Sequence, residues 1–319
     1  MTSIAILGAG CIGCHLAGQL MAAGTPVRMI GRTWFQEELS QHGLTIVGPD
    51  GNRHAFAPQR LDYQTEPTAL EGIQLVILCV KSGDLGEAGQ NIARYCPDAT
   101  VICLQNGLRS ASLLQRYLPA DQIVPGSVVY SVNYTGAGVF KKTEGRLHLQ
   151  VSDALKAWLP DLDKAFGKSR LHDDISAMQW SKLLLNLNNS VNAVSGLPLV
   201  EQLKKRRYRK LWADCMSEGM KVMKKSGVAP VDIDTPVPLA QMPFILKLPD
   251  FLFRIVASRT LKMDPEVRMS MWADLQRGRP TEIDELNGEV LQLAYRQGMK
   301  AEANQEIYDA IKRLEKKAG

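Results

Sequence analysis

Residues 180–190 read Trp180-Ser181-Lys182-Leu183-Leu184-Leu185-Asn186-Leu187-Asn188-Asn189-Ser190, an apolar helical spacing interrupted by a lysine and three asparagines. Asparagine is a mediocre helix former and a buried amide needs partners, so a purely structural helix gains little from such a run. Lys182 and Asn186 are four residues apart and share one face. A lysine flanked by neutral amides on an apolar helix can serve as a proton donor whose pKa is tuned by its surroundings. The alternative is a helix whose amides cap neighbouring loops, with a snorkelling lysine. A second chemistry-bearing stretch runs from Ser270 to Asp284. Ser270 and Asp274 are spaced to share a helix face, Gly278 ends that helix, and Pro280-Thr281-Glu282 is predicted to start the next. Glu282 is therefore expected near a helix N-terminus, either as a favourable dipole charge or as a carboxylate holding substrate or Lys182.

These groups need a scaffold, and the N-terminal sequence supplies one. Ser3–Leu7 is apolar and β-prone and leads into Gly8-Ala9-Gly10-Cys11-Ile12-Gly13, after which a helical pattern runs through Leu16, Leu20 and Ala23 to Gly24. Strand, glycine turn and helix in that order make a dinucleotide-binding unit. Gly8 permits the tight turn, Gly10 lets a pyrophosphate approach the backbone, and Gly13 lets helix and strand pack closely. The helix N-terminus then faces the phosphates, with Cys11 and Ile12 in the binding turn. The next strand, Val27–Ile30, ends at Gly31-Arg32-Thr33. A carboxylate there would bind the adenine ribose of NAD(H). Arg32 suits a 2′-phosphate, so NADPH is the expected cofactor.

Leu75–Val80 and Thr100–Leu104 are continuous apolar runs ending in Lys81-Ser82 and Gln105-Asn106-Gly107. Such strands suit a parallel sheet covered on both faces, whose ligands bind beyond the carboxyl ends. Lys81 and Asn106 are accordingly site candidates. Ile123–Tyr134 and Arg146–Val151 read as further strands. The expected architecture is α/β, an N-terminal Rossmann-type doubly wound parallel sheet followed by an all-α domain. The boundary falls at residues 1–175 and 176–319, because the pattern turns helical at Ile175. Gly196-Leu197-Pro198 breaks one helix, and Gly227 stops a long one beginning near Leu199. A stretch with Pro236, Pro238, Pro243 and Pro249 reads as a packed connection or a lid.

At 319 residues, 45% hydrophobic and 22% charged, the chain is ordinary globular material, and its net charge of +5 favours anionic small molecules without demanding nucleic acid. The basic run 204–210 is expected to be a solvated helix face. No apolar run spans a bilayer, and no signal peptide is apparent, so a cytoplasmic location without membrane partners is expected. Cys11 and Cys14 form a C-x-x-C with no second ligand pair, so no metal site is expected.

Taken together, the glycine motif, Arg32, Val80-Lys81, Leu104-Gln105-Asn106-Gly107, Trp180-x-Lys182-Leu183 and Ser270-x-x-x-Asp274 through Thr281-Glu282-Ile283-Asp284 resemble the ketopantoate reductase family (2-dehydropantoate 2-reductases) over nearly the whole chain. The resemblance implies an NADPH-dependent reduction of ketopantoate to pantoate in a cleft between the two domains. It implies Lys182 as general acid, Asn106 as an asparagine that positions cofactor and lysine, and Glu282 as the motif acid on the same cofactor and catalytic side. Ser270 would contact the substrate carboxylate, and Asn186 would be the first of two substrate-side asparagines. The second falls at Ser190, which departs from the family's asparagine and bears on substrate identity. Reduction of another 2-keto acid or opine-type substrate on the same fold is one alternative. A non-catalytic NADP(H)-binding sensor is another, although it need not keep Lys182, Asn106 and Glu282. The partner expected throughout is a small 2-keto acid, with an assembly compatible with a homodimer.

Overall fold

The computed structural model describes residues 3–167, 170–233, 237–258, 261 and 266–318. The chain divides into two compact units, residues 1–105 with 109–175 and residues 106–108 with 176–319.

The first unit holds twelve described strands: β1 (Ile4–Leu7), β2 (Val27–Ile30), β3 (Leu44–Val47), β4 (Arg53–Phe56), β5 (Asp62–Gln64), β6 (Leu75–Leu78), β7 (Thr100–Cys103), β8 (Ile123–Val128), β9 (Val132–Tyr134), β10 (Val139–Lys142), β11 (Leu147–Gln150) and β12 (Arg170–His172). Its helices are α1 (Cys11–Ala22), α2 (Thr33–His42), α3 (Leu85–Tyr95), α4 (Ser110–Leu114), α5 (Asp153–Lys156) and α6 (Leu159–Phe166). Eight strands form one sheet in the order β12-β11-β8-β7-β6-β1-β2-β5. The stretch from β5 to β8 is parallel throughout, and β11 joins it antiparallel to β8.

Why these apolar runs become central strands is visible residue by residue. Ile4 and Ile6 of β1 and Leu75 and Ile77 of β6 enter a core shared with Leu16 and Leu20 of α1. Ala5, Val76 and Leu78 enter the opposite core with Leu85 and Ile92 of α3 and Leu114 of α4. Both faces are covered, so both residue parities must be apolar. This is the Rossmann-type doubly wound sheet that the sequence predicts. The strand order reverses between β1 and β6, which is where ligands bind in such sheets.

Two details differ from expectation. The run 123–134 is two strands: β8 belongs to the large sheet, whereas β9 pairs antiparallel with β10 in a second, four-stranded sheet ordered β4-β3-β10-β9. That second sheet was not expected at all.

The second unit is helical: α7 (Ser176–Ser195), α8 (Leu199–Lys204), α9 (Arg206–Lys225), α10 (Met242–Lys247), α11 (Asp250–Val256), α12 (Ser270–Gln276), α13 (Asn287–Arg296) and α14 (Glu302–Ala318). Trp180, Leu183, Leu184, Leu187 and Val191 form the apolar stripe of α7 and pack with Trp212, Ala213 and Met216 of α9. The helix expected from Leu199 is broken at Lys205, which is extended (φ −99°, ψ 108°).

The basic run also departs from a uniformly solvated face. Lys204, Lys205, Arg206, Arg207 and Lys210 are exposed, but Arg209 is fully buried. Its guanidinium satisfies the carbonyls of Leu203, Leu246 and Leu248. In the proline-punctuated stretch, Leu239, Leu246 and Phe253 are buried while Phe244, Phe251 and Ile255 stand exposed, and Pro236 lies outside the described residues. Among the described residues no helix is long and apolar enough to cross a membrane.

Candidate functional site

In the first unit the glycine turn is dictated by close contacts. Gly8 has φ +96°, and a Cβ there would lie 2.4 Å from Val80 N. A Cβ on Gly13 would lie 2.4 Å from Gly8 O, so α1 can start this near the strand only with glycine at that position. Gly10 is different: a Cβ there would meet nothing within 4 Å. The space over Gly10 is open, and α1 begins beside it with no side-chain cap. The α1 N-terminus, with its first-turn backbone at Cys11, Ile12 and Gly13 and open space over Gly10 before it, fits a pyrophosphate.

Arg32 precedes α2, with its side chain more than half exposed and its Nη2 3.5 Å from Asp84 Oδ2. Lys81 lies beyond the β6 end, after Cys79 and Val80, and accepts from Asp84 N at 2.9 Å through its carbonyl. Of the C-x-x-C pair, Cys14 is held as a thiol. Cys14 is fully buried, its thiol donates to Ala9 O at 3.4 Å, and burial pushes its pKa well above the usual thiol range. Cys79, packed nearby, is pushed up to about 12 by burial.

In the second unit four of the expected residues converge. Asn106 Nδ2 donates to Glu282 Oε2 at 2.9 Å, and Asn106 Oδ1 accepts from Asn186 Nδ2 at 3.3 Å. A carboxylate offers only lone pairs, so Glu282 fixes the direction of the chain and leaves Asn186 Oδ1 as an acceptor. The Glu282 charge also bears on Lys182. Burial pulls the Lys182 ammonium down from its ordinary 10.5 to about 8, and Glu282 opposes that fall. A lysine with a pKa near neutrality can both donate a proton and recover it from solvent.

The loop that carries Asn106 depends on Gly107. It has φ +90°, and a Cβ there would lie 3.1 Å from Glu285 O, so a larger residue would be strained both by its backbone and by the Glu282 turn.

Glu282 reaches this place by a route other than the expected one. It is not at a helix N-terminus: residues 282–286 form turns, and α13 begins only at Asn287. Thr281, read as the start of a helix, instead places its hydroxyl and N–H on Glu315 of α14 at 2.7 and 2.8 Å.

Ser270 is exposed at the start of α12, and the preceding Met269 N–H donates to Asn192 Oδ1 at 3.0 Å. Asn192 lies six residues beyond Asn186 on α7, about 9 Å along the axis. Ser190 is not gathered into the cluster. It is fully buried, with its Oγ 2.7 Å from Asn287 Oδ1. Sequence reasoning missed Asn287 and Glu218 as partners of this region; polar residues in otherwise buried helical positions were the available signal. Among the described residues no group of three or more His, Cys, Asp or Glu side chains is placed to hold a metal ion.

Comparison with known proteins adds an independent line. Residues 4–154 match the family model described as Ketopantoate reductase PanE/ApbA, and residues 174–315 match the model of its C-terminal part. A 2-dehydropantoate 2-reductase of Halobacterium salinarum is 26% identical over 301 residues, covering 91% of each chain. A PanE/ApbA family ketopantoate reductase from Ralstonia eutropha JMP134 superposes with a TM-score of 0.81 at 24% identity, covering 99% of both chains. A D-mandelate dehydrogenase solved with NADH and anilino(oxo)acetate gives a TM-score of 0.78 at 21% identity, again over 99% of both chains. At these identities the two structural matches are likenesses of fold.

Proposed function

The chain belongs to the ketopantoate reductase family, whose named relatives are oxidoreductases, and on that premise we propose that it reduces 2-dehydropantoate, or a close 2-keto acid, with NADPH. The observation that carries this reading is the Lys182–Glu282–Asn106–Asn186 cluster, a tunable ammonium within electrostatic reach of a carboxylate that Asn106 fixes. The nicotinamide cofactor would supply a hydride to the keto carbon. As that carbon is reduced, negative charge grows on the carbonyl oxygen, and Lys182 is the group suited to stabilise it and then protonate it. Glu282 keeps the ammonium charged, Asn106 holds Glu282, and Asn186 offers its free acceptor to a substrate hydroxyl. Ser270, at the start of α12, is the proposed carboxylate contact. Gly10, the α1 N-terminus, Arg32 and Lys81 are the proposed cofactor contacts in the first unit.

The test is NADPH oxidation by purified protein with 2-dehydropantoate, other branched 2-keto acids and aryl 2-keto acids, repeated with NADH. Turnover of none of them would remove the reading. The pH dependence is also specified. Reduction needs the ammonium, so kcat should be level below about pH 8 and decline above it, whereas the reverse oxidation needs the amine and should rise across the same range. Glu282→Gln should move both limbs to lower pH, because the lost carboxylate had held the lysine pKa up. Unshifted limbs in pH–rate profiles would contradict the pairing.

One observation favours a second cofactor reading, NADH. Arg32 already faces Asp84, whose carboxylate competes with a 2′-phosphate for the guanidinium and could itself accept from ribose hydroxyls. Asp84→Asn should therefore tighten NADPH and weaken NADH. Arg32→Ala should weaken NADPH roughly tenfold and leave NADH nearly unchanged, the scale of one exposed charge-assisted contact. Calorimetric titration with both cofactors decides between the two readings.

A further inference from the structure

Ser190 closes the i, i+4, i+8 series that begins with Lys182 and Asn186, yet its hydroxyl faces into the helical unit. Its Oγ lies 2.7 Å from Asn287 Oδ1 and 2.8 Å from Leu187 O. Asn287 Nδ2 donates to Asn304 Oδ1 at 3.0 Å. Asn304 Nδ2 in turn donates to Glu218 Oε2 at 2.8 Å and to Cys215 O at 3.1 Å. Glu218 also accepts the backbone N–H groups of Ala303 and Asn304, at 2.9 and 3.0 Å. Ser190, Asn287 and Asn304 are all fully buried.

The polarity of this chain has one solution. A carboxylate and a carbonyl present only lone pairs, so Asn304 must turn its NH₂ toward Glu218 and Cys215. Asn304 Oδ1 then faces Asn287, which must answer with its own NH₂. Asn287 Oδ1 is left as an acceptor, and the Ser190 hydroxyl, whose single proton is shared with Leu187 O, is the donor that reaches it.

What the chain holds is the turn that carries Glu282. Asn287 stands five residues after Glu282. The residues between close on themselves through Glu285 N to Glu282 O at 3.2 Å and Gly288 N to Ile283 O at 2.9 Å, with Ile283 and Leu286 fully buried. The turn therefore moves with Asn287. Thr281 and Asp284 tie it to α14, through Glu315 and through Tyr308 and Lys312. Ser190 ties it to α7, the helix on which Lys182 rides about 12 Å away. Eight residues also carry Ser190 about 80° round that helix from Lys182, onto the side that meets Asn287.

We propose that Ser190 is a positioning residue: its hydrogen bond to Asn287 fixes the Glu282 turn against α7 and so sets Glu282 at its working distance from Lys182 and Asn106. This rests on the reading of Lys182 as proton donor. It also reassigns the position at which the resembled family carries an asparagine: here the side chain acts on the acid, not on the substrate.

The test uses Ser190→Ala, Asn287→Ala and the double variant of the full chain. The first readout needs no substrate: the pH dependence of Lys182 acylation by an amine-directed reagent, followed by peptide mass spectrometry. Ser190→Ala should shift the lysine midpoint downward, because Glu282, the charge that raises it, is no longer held in place. In turnover assays kcat should fall roughly tenfold with KM nearly unchanged, the scale of a misplacement below 1 Å. The double variant should be no worse than Asn287→Ala, since both singles cut the Ser190–Asn287 bond and only Asn287→Ala also cuts the one to Asn304. A raised KM with an unmoved lysine midpoint would make Ser190 a substrate contact and overturn the proposal, as would additive losses. Should Ser190→Ala not fold, Ser190→Cys keeps the size with a weaker donor and carries the same lysine readout. If the enzyme proves inactive on every 2-keto acid, the lysine midpoint still decides the positioning role separately.

Discussion

Lys182→Met is expected to abolish reduction and, at the same pH, to make the protein more stable. The first effect follows from chemistry: losing a positioned general acid removes about 10²–10⁴ of rate. The second follows from linkage. Burial holds the folded-state pKa of Lys182 near 8, against 10.5 when unperturbed. Below pH 8 both folded and unfolded chains carry the proton, and the folded chain bears the cost of a desolvated charge. Between 8 and 10.5 the folded chain has released the proton while the unfolded chain retains it, so stability climbs with pH through that window. At about 1.4 kcal/mol per pKa unit the cost at neutral pH is on the order of 3 kcal/mol. Methionine fills much of the same volume without a charge and removes that cost, while Asn106 still satisfies Glu282. Urea unfolding should show the variant ahead by about 2–3 kcal/mol at pH 7 and level with the parent above pH 10.5. A variant less stable than the parent at pH 7 would mean that the ammonium is well solvated or strongly paired. The proton-donor reading would then lose its physical basis. The opposed signs separate a functional lysine from a structural one, which would lose stability and leave any activity nearly intact.

How far the sequence discloses this molecule depends on the range over which each constraint acts. The β1–turn–α1 unit is legible because its signature is local, an apolar strand, spaced glycines and a helical pattern in sequence, even though the backbone that excludes a Cβ at Gly8 belongs to Cys79 and Val80. The Lys182–Asn186 face is legible for the same reason, since one helix turn defines it. The second sheet is not. Its β4 strand, Arg53–Phe56, is mostly exposed and has no apolar alternation, and β3 pairs with β10, whose residues come more than ninety positions later. The division of 123–134 into two strands is hidden likewise, because both halves are apolar and only the partner sheets distinguish them. Glu282 shows how a local signature misleads. Pro280-Thr281-Glu282 has the composition of a helix start, and the Thr281 hydroxyl does accept from Ile283 N at 3.3 Å while donating to Glu315, thirty-four residues on, yet the chain turns there and α13 begins only at Asn287. The bond between Asn106 and Glu282 joins residues 176 apart. Spacing alone offered no route to that contact, and the family resemblance named both residues for the site without pairing them.

Arg209 sets the largest expected loss of stability. In a run of seven residues with six basic side chains, composition favours a solvated face, and five of the six are solvated. The sixth is fully buried. Its Nη1 donates to Leu203 O at 2.8 Å, its Nε to Leu246 O at 3.1 Å, and its Nη2 to Leu248 O and Asp250 Oδ1 at 2.8 and 2.9 Å. The guanidinium plane lies 4.1 Å from the centroid of the Phe253 ring. One side chain thus serves carbonyls near the C-terminal ends of α8 and α10 and the first residue of α11, groups that helix geometry leaves without partners. Arg209→Met would keep the packing stem and strand three carbonyls. Removing one member of a buried charged network typically costs about 3–5 kcal/mol, and a loss of that size is expected in urea unfolding followed by helical circular dichroism. Arg209→Lys should recover only part of it, because a compact ammonium has three donors and no planar fork to span carbonyls from separate helices. Asp250→Asn should cost less than about 1 kcal/mol, since that carboxylate is half-exposed and its charge is screened. The order Met, then Lys, then Asn at 250 is the discriminating result. If Arg209→Lys matched the parent, charge alone would be sufficient there. The fork geometry that links α8, α10 and α11 would then have no energetic role.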